Sequence, residues 1–174
     1  EAGRNRVQAW RDDDGEVSER HGAMRWAMRL ERALDEHQFV LFAQRIEGLS
    51  PRLPGATQPA VHAEVLLRLR ERDGSRVLPG AFMPAAERFH LAPRLDRWVL
   101  RQAVALLEQD TVAAIASLSI NVSALTLQDA AYHEEARRLL TALGPARADA
   151  LCLEITETAV ITQLEEAARF IQQM

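Results

Sequence analysis

The sequence has no lysine and only one cysteine among its 174 residues. Without lysine, this segment cannot carry out Schiff-base or other lysine-dependent chemistry. The single cysteine, Cys152, excludes an internal disulfide and is typical of a reducing compartment. No run of about 18 apolar residues is present, so we expect no membrane span and no membrane contact in this segment. We therefore expect a cytoplasmic location, with any membrane tether lying upstream.

The chain also lacks an excess of positive charge. The formal net charge is −4 and the isoelectric point is about 5.8, so the chain has no basic surface that would follow a polymeric nucleic acid. A small anionic ligand held by a few local groups remains compatible with this charge. The hydrophobic content of 48% and the charged content of 26% are typical of a folded globular domain.

The pattern of elements along the chain predicts an α/β fold. The chain starts at Glu1 without a methionine, and we expect it to be a piece of a longer protein. Residues 11–20 are charged and almost without apolar side chains, which indicates a linker or a solvated turn. Strand patterns cover residues 39–46, 60–69, 118–123 and 151–157. Helical patterns of 10 to 20 residues lie between them, and this alternation predicts βα units with a mostly parallel sheet.

The helical patterns have further features. An apolar stripe starts at Trp26 in the first of them, a second stripe starts at Leu95, and a later helix is predicted to end at Gly144. Residues 71–80 are predicted as a loop.

Three of these strands have one aliphatic face and one face with a polar group near its centre, because side chains alternate with period two. The polar faces carry Glu64 with Arg68, Asn121, and Glu154. A sheet closed into a barrel offers both environments, an outer face under helices and an inner face that opens into a site at the carboxyl ends of the strands. We therefore expect Glu64, Asn121 and Glu154 to converge on one cavity.

Two carboxylates and a carboxamide are oxygen ligands that suit Mg²⁺ or Mn²⁺. The planar guanidinium of Arg68 on the same face could bind a phosphate, so the set points to phosphoryl chemistry. Plainer interpretations stay open. Glu64 and Arg68 could form a structural ion pair, Asn121 could be a satisfied core amide, and Glu154 could cap a helix. His62, one pleat before Glu64, is expected to be a buried hydrogen-bonding histidine.

Five sequence blocks follow one another along the chain: "FVLFAQRI", "AEVLLRL", "LPGAFMPAAERFHLAPRLDRWVL", "LSINVSALTL" and "LCLEITET". In this order they resemble the EAL-domain family of bacterial cyclic di-GMP phosphodiesterases. The second block resembles the signature motif, with Val65 where the alanine usually stands. The opening "EAGRNRV" resembles the closing residues of a GGDEF (diguanylate cyclase-type) domain.

The resemblance implies a modified (β/α)8, TIM-like barrel, of which this chain holds about the first half. The implied domains are a GGDEF tail at residues 1–10, a linker at 11–23 and an incomplete EAL domain at 24–174. The family's paired aspartates, lysine, later glutamate and glutamine are expected from strands beyond Met174.

The resemblance also implies roles for individual residues. Glu64, Asn121 and Glu154 are implied ligands of a two-metal site for Mg²⁺ or Mn²⁺, and Arg68 is an implied phosphate contact. Gln44 resembles a glutamine near a guanine of the substrate, and Glu157 resembles a glutamate that anchors a catalytic loop.

Three functions remain in view. The leading one is a metal-dependent phosphodiesterase that hydrolyses cyclic di-GMP to linear pGpG in signal transduction. The second is a catalytically inactive receptor that binds cyclic di-GMP, and the third is a structural module whose inner polar face is a satisfied network. The resemblance also implies a homodimer.

Overall fold

The computed structural model describes residues 15–49, 61–109, 115–155 and 163–174. The helices of these residues are α1 Gly15–Asp35, α2 Pro79–Arg88, α3 Ala92–Leu107, α4 Ala130–Leu143, α5 Pro145–Ala148 and α6 Leu164–Gln173. The strands are β1 Phe39–Ile46, β2 Val61–Arg70, β3 Arg76–Val77, β4 Ile115–Val122 and β5 Leu151–Ile155. A 3-10 turn, Ala124–Gln128, follows β4.

Local sequence signals explain where α4 begins and ends. The Asp129 side chain accepts a hydrogen bond from the backbone N–H of Tyr132 at 2.8 Å, which caps the first turn. The helix ends before Gly144, whose φ of 82° is favourable for glycine alone. The predicted helix ending at a glycine is therefore confirmed.

The strands of the described residues form one mixed sheet in the order β1-β2-β4-β5, with β3 paired to the β2 strand. β2, β4 and β5 run parallel, as predicted. β1 and β3 run antiparallel to β2, so the expectation of a mostly parallel sheet is wrong for these two strands. Period-two alternation is the same in both directions, and it therefore could not reveal the direction of β1.

The short strand β3 lies in a segment that we predicted as a loop. Gly74 has a φ of 86°, and the Ser75 backbone N–H donates to the Asp73 carboxylate at 2.9 Å. This Asp-Gly turn reverses the chain after β2 and allows Arg76 and Val77 to pair with it. The Asp-Gly pair is a known hairpin signal, so the sequence contained the information that the prediction missed.

Two apolar clusters hold the helices against the sheet. The larger one lies between the aliphatic faces of the parallel strands and the helices α3, α4 and α6. Its buried members include Val65, Leu100, Leu118, Ile120, Tyr132 and Phe170. The smaller cluster joins α1 and α2 to the start of β1, through buried residues that include Leu30, Ala33, Phe39, Leu69 and Phe82. The predicted apolar stripes of α1 and α3 are confirmed by these contacts.

The segment predicted as a linker is partly helical, because α1 begins at Gly15. Residues 15–20 are therefore helical and do not form a turn. Residues 1–14, with the GGDEF-like tail, lie outside the described residues, and the domain boundaries remain predictions. Among the residues that the structure does describe, none of the helices has the length and apolar composition needed to cross a membrane.

Candidate functional site

The two-faced character of the central strands is present in the structure. On β2, Ala63 and Val65 are buried while Glu64 is half-buried on the opposite face. On β4, Ile120 is buried under the helices while Asn121 is exposed on the polar face. One side of the sheet therefore faces the helices, and the other presents polar groups.

The register of the sheet aligns the polar positions of four strands. Gln44 pairs with Glu64, Glu64 pairs with Ser119, and Ser119 pairs with Cys152. This row crosses β1, β2, β4 and β5 at one level. Paired residues share a face of the sheet, so these side chains lie on the same face.

An irregularity at the start of the β2–β4 pairing produces this alignment. Val61 pairs with Ile115, but the next residue, His62, pairs with Ser117. Ala116 is thus an extra residue in β4, as in a β-bulge. Without the extra residue, Glu64 would fall opposite the aliphatic Leu118, because a one-residue slip exchanges the faces of a strand.

Glu64 and Asn121 contact each other directly. The Asn121 Nδ2 donates a hydrogen bond to the Glu64 Oε1 at 2.8 Å. This bond orients the amide so that its Oδ1 is available to another partner. Asn121 also pairs in register with Glu154, whose half-buried carboxylate has no hydrogen bond or ion pair to any residue in the described ranges. Two carboxylates and an amide oxygen are therefore placed together.

Arg68 lies on the same face of β2, beyond the point where pairing with β4 ends at Glu64. Its Nη1 donates to the backbone carbonyl of Leu67 at 2.7 Å, and its side chain is half-buried. Within the described part of the chain it forms no ion pair with Glu64. The interpretation of these two residues as a structural ion pair is therefore wrong, and most of the guanidinium N–H groups are free for another acceptor.

The remaining predicted residues have different outcomes. Gln44 is exposed on β1 beside Glu64. His62 forms the expected hydrogen bond, with its Nδ1 2.8 Å from the Ser117 Oγ, but it is exposed rather than buried. Glu157 lies outside the described residues, so its role stays a prediction.

Sequence reasoning missed a buried polar cluster beside the end of β4. Asp96 of α3 is 7% exposed, and its Oδ2 accepts hydrogen bonds from the Ser123 backbone N–H at 2.8 Å and from the Thr126 Oγ1 at 2.6 Å. Burial raises the pKa of Asp96, and the bonds from Thr126 and Ser123 oppose that rise. Asp96 stands three and four residues before the buried Val99 and Leu100, and this spacing could have revealed it as a buried acid.

Glu64, Asn121 and Glu154 fit a hard divalent cation by their chemistry, since all three supply oxygen. Over the residues that the structure describes, no group of three or more histidine, cysteine, aspartate or glutamate side chains could hold a metal ion. The candidate set has two such side chains and completes its third position with an amide. It is therefore a partial ligand set that further oxygen ligands would complete.

Comparison with known proteins gives a consistent result. A family model described as the EAL domain matches residues 27–174. The cyclic di-GMP phosphodiesterase PdeB of Shewanella oneidensis is 31% identical over 173 residues, which is 99% of this chain and 20% of that protein. The chain thus spans about a fifth of the length of this curated relative.

Two solved structures also resemble the chain. The EAL domain of Xanthomonas citri FimX, in complex with cyclic di-GMP, is 29% identical with a TM-score of 0.72 over 90% of this chain and 58% of that one. The structure of the PaMucR phosphodiesterase in complex with cyclic di-GMP is 27% identical with a TM-score of 0.70, over 86% of this chain and 58% of that one. MucR of Pseudomonas aeruginosa is also 28% identical to the chain in sequence. These similarities confirm the predicted barrel-type α/β fold for the part of the barrel that the chain covers.

Proposed function

The chain belongs to the EAL-domain family, and we propose that it forms part of a phosphodiesterase that hydrolyses cyclic di-GMP to linear pGpG. The observation that carries this proposal is the contact between Glu64 and Asn121 at 2.8 Å, with Glu154 in register beside Asn121. The side-chain oxygens of these residues lie on the polar face of the sheet, which a charged ligand can reach. PdeB and the MucR structure are both named as phosphodiesterases, which supports the same activity.

Glu64, Asn121 and Glu154 would hold Mg²⁺ or Mn²⁺ in a two-metal site completed by residues outside this chain. When bound, such cations polarise a phosphate and lower the pKa of water, which favours hydrolysis of a phosphodiester. The cations would also offset the negative charges of Glu64 and Glu154, which lie on either side of β4.

Arg68 and Gln44 would bind the substrate. The planar guanidinium of Arg68 matches two oxygens of a phosphate, and its positive charge would stabilise the charge that grows there during the reaction. Gln44 is exposed next to Glu64, where its amide could donate to and accept from the edge of a guanine. Glu157 would anchor a loop near the cations.

In the proposed reaction, water attacks one phosphorus atom and the ester bond to one ribose oxygen breaks. That oxygen takes up a proton, and the product is a linear dinucleotide with one terminal phosphate. We also propose that the complete protein works in the cytoplasm as a homodimer. Analytical ultracentrifugation of the complete protein tests the dimer.

A second candidate is a receptor that binds cyclic di-GMP without hydrolysing it. The FimX EAL domain was solved in complex with cyclic di-GMP, and its fold resembles this chain as well as the MucR enzyme does. The proposed substrate contacts, Gln44 and Arg68, would serve a receptor equally well. The two candidates differ in whether bound ligand is converted to product.

The experiment uses the protein extended through the rest of its barrel. Purified protein is incubated with cyclic di-GMP and Mg²⁺ or Mn²⁺, while calorimetry follows binding and chromatography follows pGpG. Glu64→Gln keeps the shape of the side chain but removes its charge, and Glu108→Gln, at an exposed position after α3, is the matched control. We expect Glu64→Gln to lower turnover by more than roughly 10–100-fold, the loss that is typical when a residue that orients a metal ligand is mutated.

Each outcome has a clear meaning. Metal-dependent pGpG that is lost in Glu64→Gln and kept in Glu108→Gln would support the phosphodiesterase. Tight binding without product would refute the enzyme and favour the receptor. Neither binding nor product would refute both functions.

A further inference from the structure

Asp96 on α3 is a buried carboxyl group that accepts hydrogen bonds from two donors. Asp96 is 7% exposed and Thr126 is fully buried. One carboxylate oxygen, Oδ2, accepts from both the Ser123 backbone N–H and the Thr126 hydroxyl. The Ser123 Oγ lies 2.9 Å from the Thr126 Oγ1, which closes a compact polar cluster. Asp96 therefore ties α3 to the chain that leaves β4.

The position of this tie matters because, among the described strands, the end of β4 is paired on one side only. The pairing of β2 with β4 stops at Glu64 and Ser119, whereas β4 pairs with β5 as far as Val122. The backbone of Asn121 is thus not paired with β2, although its side chain contacts Glu64. The chain meets the Asp96 carboxylate two residues later, at Ser123.

The cluster contains a buried negative charge that is not balanced by an ion pair. Asp96 forms no salt bridge with any residue that the structure describes, and burial of an unpaired carboxylate is unfavourable. An asparagine would avoid that cost, but its single carbonyl oxygen is a weaker acceptor than a carboxylate oxygen for two donors at once. The carboxylate therefore anchors Ser123 and Thr126 more strongly than an amide in its place would.

We propose that Asp96 is a positioning residue that fixes the end of β4 and thereby holds the Asn121 amide against Glu64. This proposal rests on the proposed function only in so far as Asn121 binds a cation. The placement of the amide is a separate property of the fold, and it is measured without metal. Asp96 does not itself touch the cation or the substrate.

The test uses the protein extended through its barrel, with Asp96→Asn as the principal variant. Two readouts are followed at a temperature where the variants are folded. They are the NMR signals of the Asn121 side-chain amide without metal, and the affinity for Mn²⁺ measured by calorimetry. Leu95→Val serves as the control, since this fully buried neighbour of Asp96 on α3 packs in the smaller apolar cluster, with α1 and α2.

We expect Asp96→Asn to shift the Asn121 amide signals and to weaken Mn²⁺ binding roughly 10-fold, as is typical for a residue that orients a ligand. Leu95→Val should lower the melting temperature and leave both readouts unchanged. Unchanged amide signals in a folded Asp96→Asn variant would overturn the proposal. If the wild-type protein neither bound Mn²⁺ nor produced pGpG, the proposed function would fail, while the metal-free amide signals would still decide the positioning role.

A second pair of variants covers the case in which Asp96→Asn does not fold. Thr126→Val removes one hydrogen bond to Asp96 and keeps the shape of the side chain. Thr126→Ser retains the hydroxyl. We expect the first to shift the Asn121 amide signals and the second to restore them, and equal signals in the two variants would overturn the proposal.

Discussion

The hydroxyl of Tyr132 is a buried polar group whose removal should stabilise the protein. Tyr132 is 0% exposed in α4, and its Oη has no hydrogen-bond partner among the residues that the structure describes. Burial, and then the nearby charge of Asp96, raise the pKa of this hydroxyl well above its ordinary value. The phenol therefore stays neutral and cannot recover the cost of its desolvation by ionising. The substitution Tyr132→Phe removes the hydroxyl and keeps the ring.

The expected change in the free energy of unfolding follows from the loss of the hydroxyl, since the rest of the side chain is kept. A buried hydroxyl without a partner costs about 1–3 kcal/mol. The ring keeps its burial and its contact with Phe170, at a centroid distance of 6.2 Å, in the phenylalanine variant. We expect the free energy of unfolding to rise by about 1 kcal/mol, which raises the melting temperature by roughly 2–4 °C in a domain of 150–250 residues.

Urea denaturation followed by circular dichroism measures this change. Tyr132→Leu is the control, since it removes the hydroxyl together with the aromatic ring and should destabilise the fold. The proposed phosphodiesterase activity of the extended protein should be unchanged in Tyr132→Phe, because the hydroxyl lies in the core on the helix side of the sheet. A decrease of about 1 kcal/mol or more in Tyr132→Phe would refute the reasoning and would show that the hydroxyl has a partner.

Two further predictions concern stability. Arg101 donates two hydrogen bonds to Glu135, at 2.5 and 2.9 Å, and these bonds hold the pKa of Glu135 below its ordinary value. This contribution is present above the ordinary glutamate range of about pH 4 and is lost as the pH falls through the lowered pKa. Because the Arg101 side chain is 56% exposed, Glu135→Gln should cost only about 0.5–1 kcal/mol at pH 7. This difference should close below about pH 4 in acid titrations of unfolding, and a difference that persisted would contradict the assignment. Gly144→Ala should destabilise the fold by about 1–3 kcal/mol, because its φ of 82° and ψ of 156° strain any side chain although open space surrounds the position. An unchanged unfolding midpoint would show that the chain can relax there.

The faces of the strands were predictable from the sequence, and so was the set of residues on the polar face. Alternation with period two fixes which side chains of one strand point together, and the aliphatic residues must lie under helices. Each of the residues Glu64, Asn121 and Glu154 could therefore be assigned to the polar face of its own strand. Whether the three faces coincide depends on the register between strands.

The register was beyond the reach of alternation. Glu64 lies on the same face as Ser119 and Asn121 only because β4 contains the extra residue Ala116. No rule based on composition predicts a bulge at that place. The anchoring by Asp96 was missed for a related reason, because it depends on the packing of α3 against the exit of a distant strand. Local patterns describe each element, whereas contacts between elements depend on the assembled sheet.

The direction of β1 has a mechanical consequence. Because β1 is antiparallel, its first residue, Phe39, lies beside Leu69, close to the carboxyl end of β2. The Arg70 backbone N–H also donates to the Gln38 carbonyl at 2.9 Å. Only residues 36–38 separate α1 from this point. The end of α1 is therefore joined by a connection of only three residues to the end of the sheet that carries Arg68, so we expect a shift of α1 to displace that end of the sheet as well.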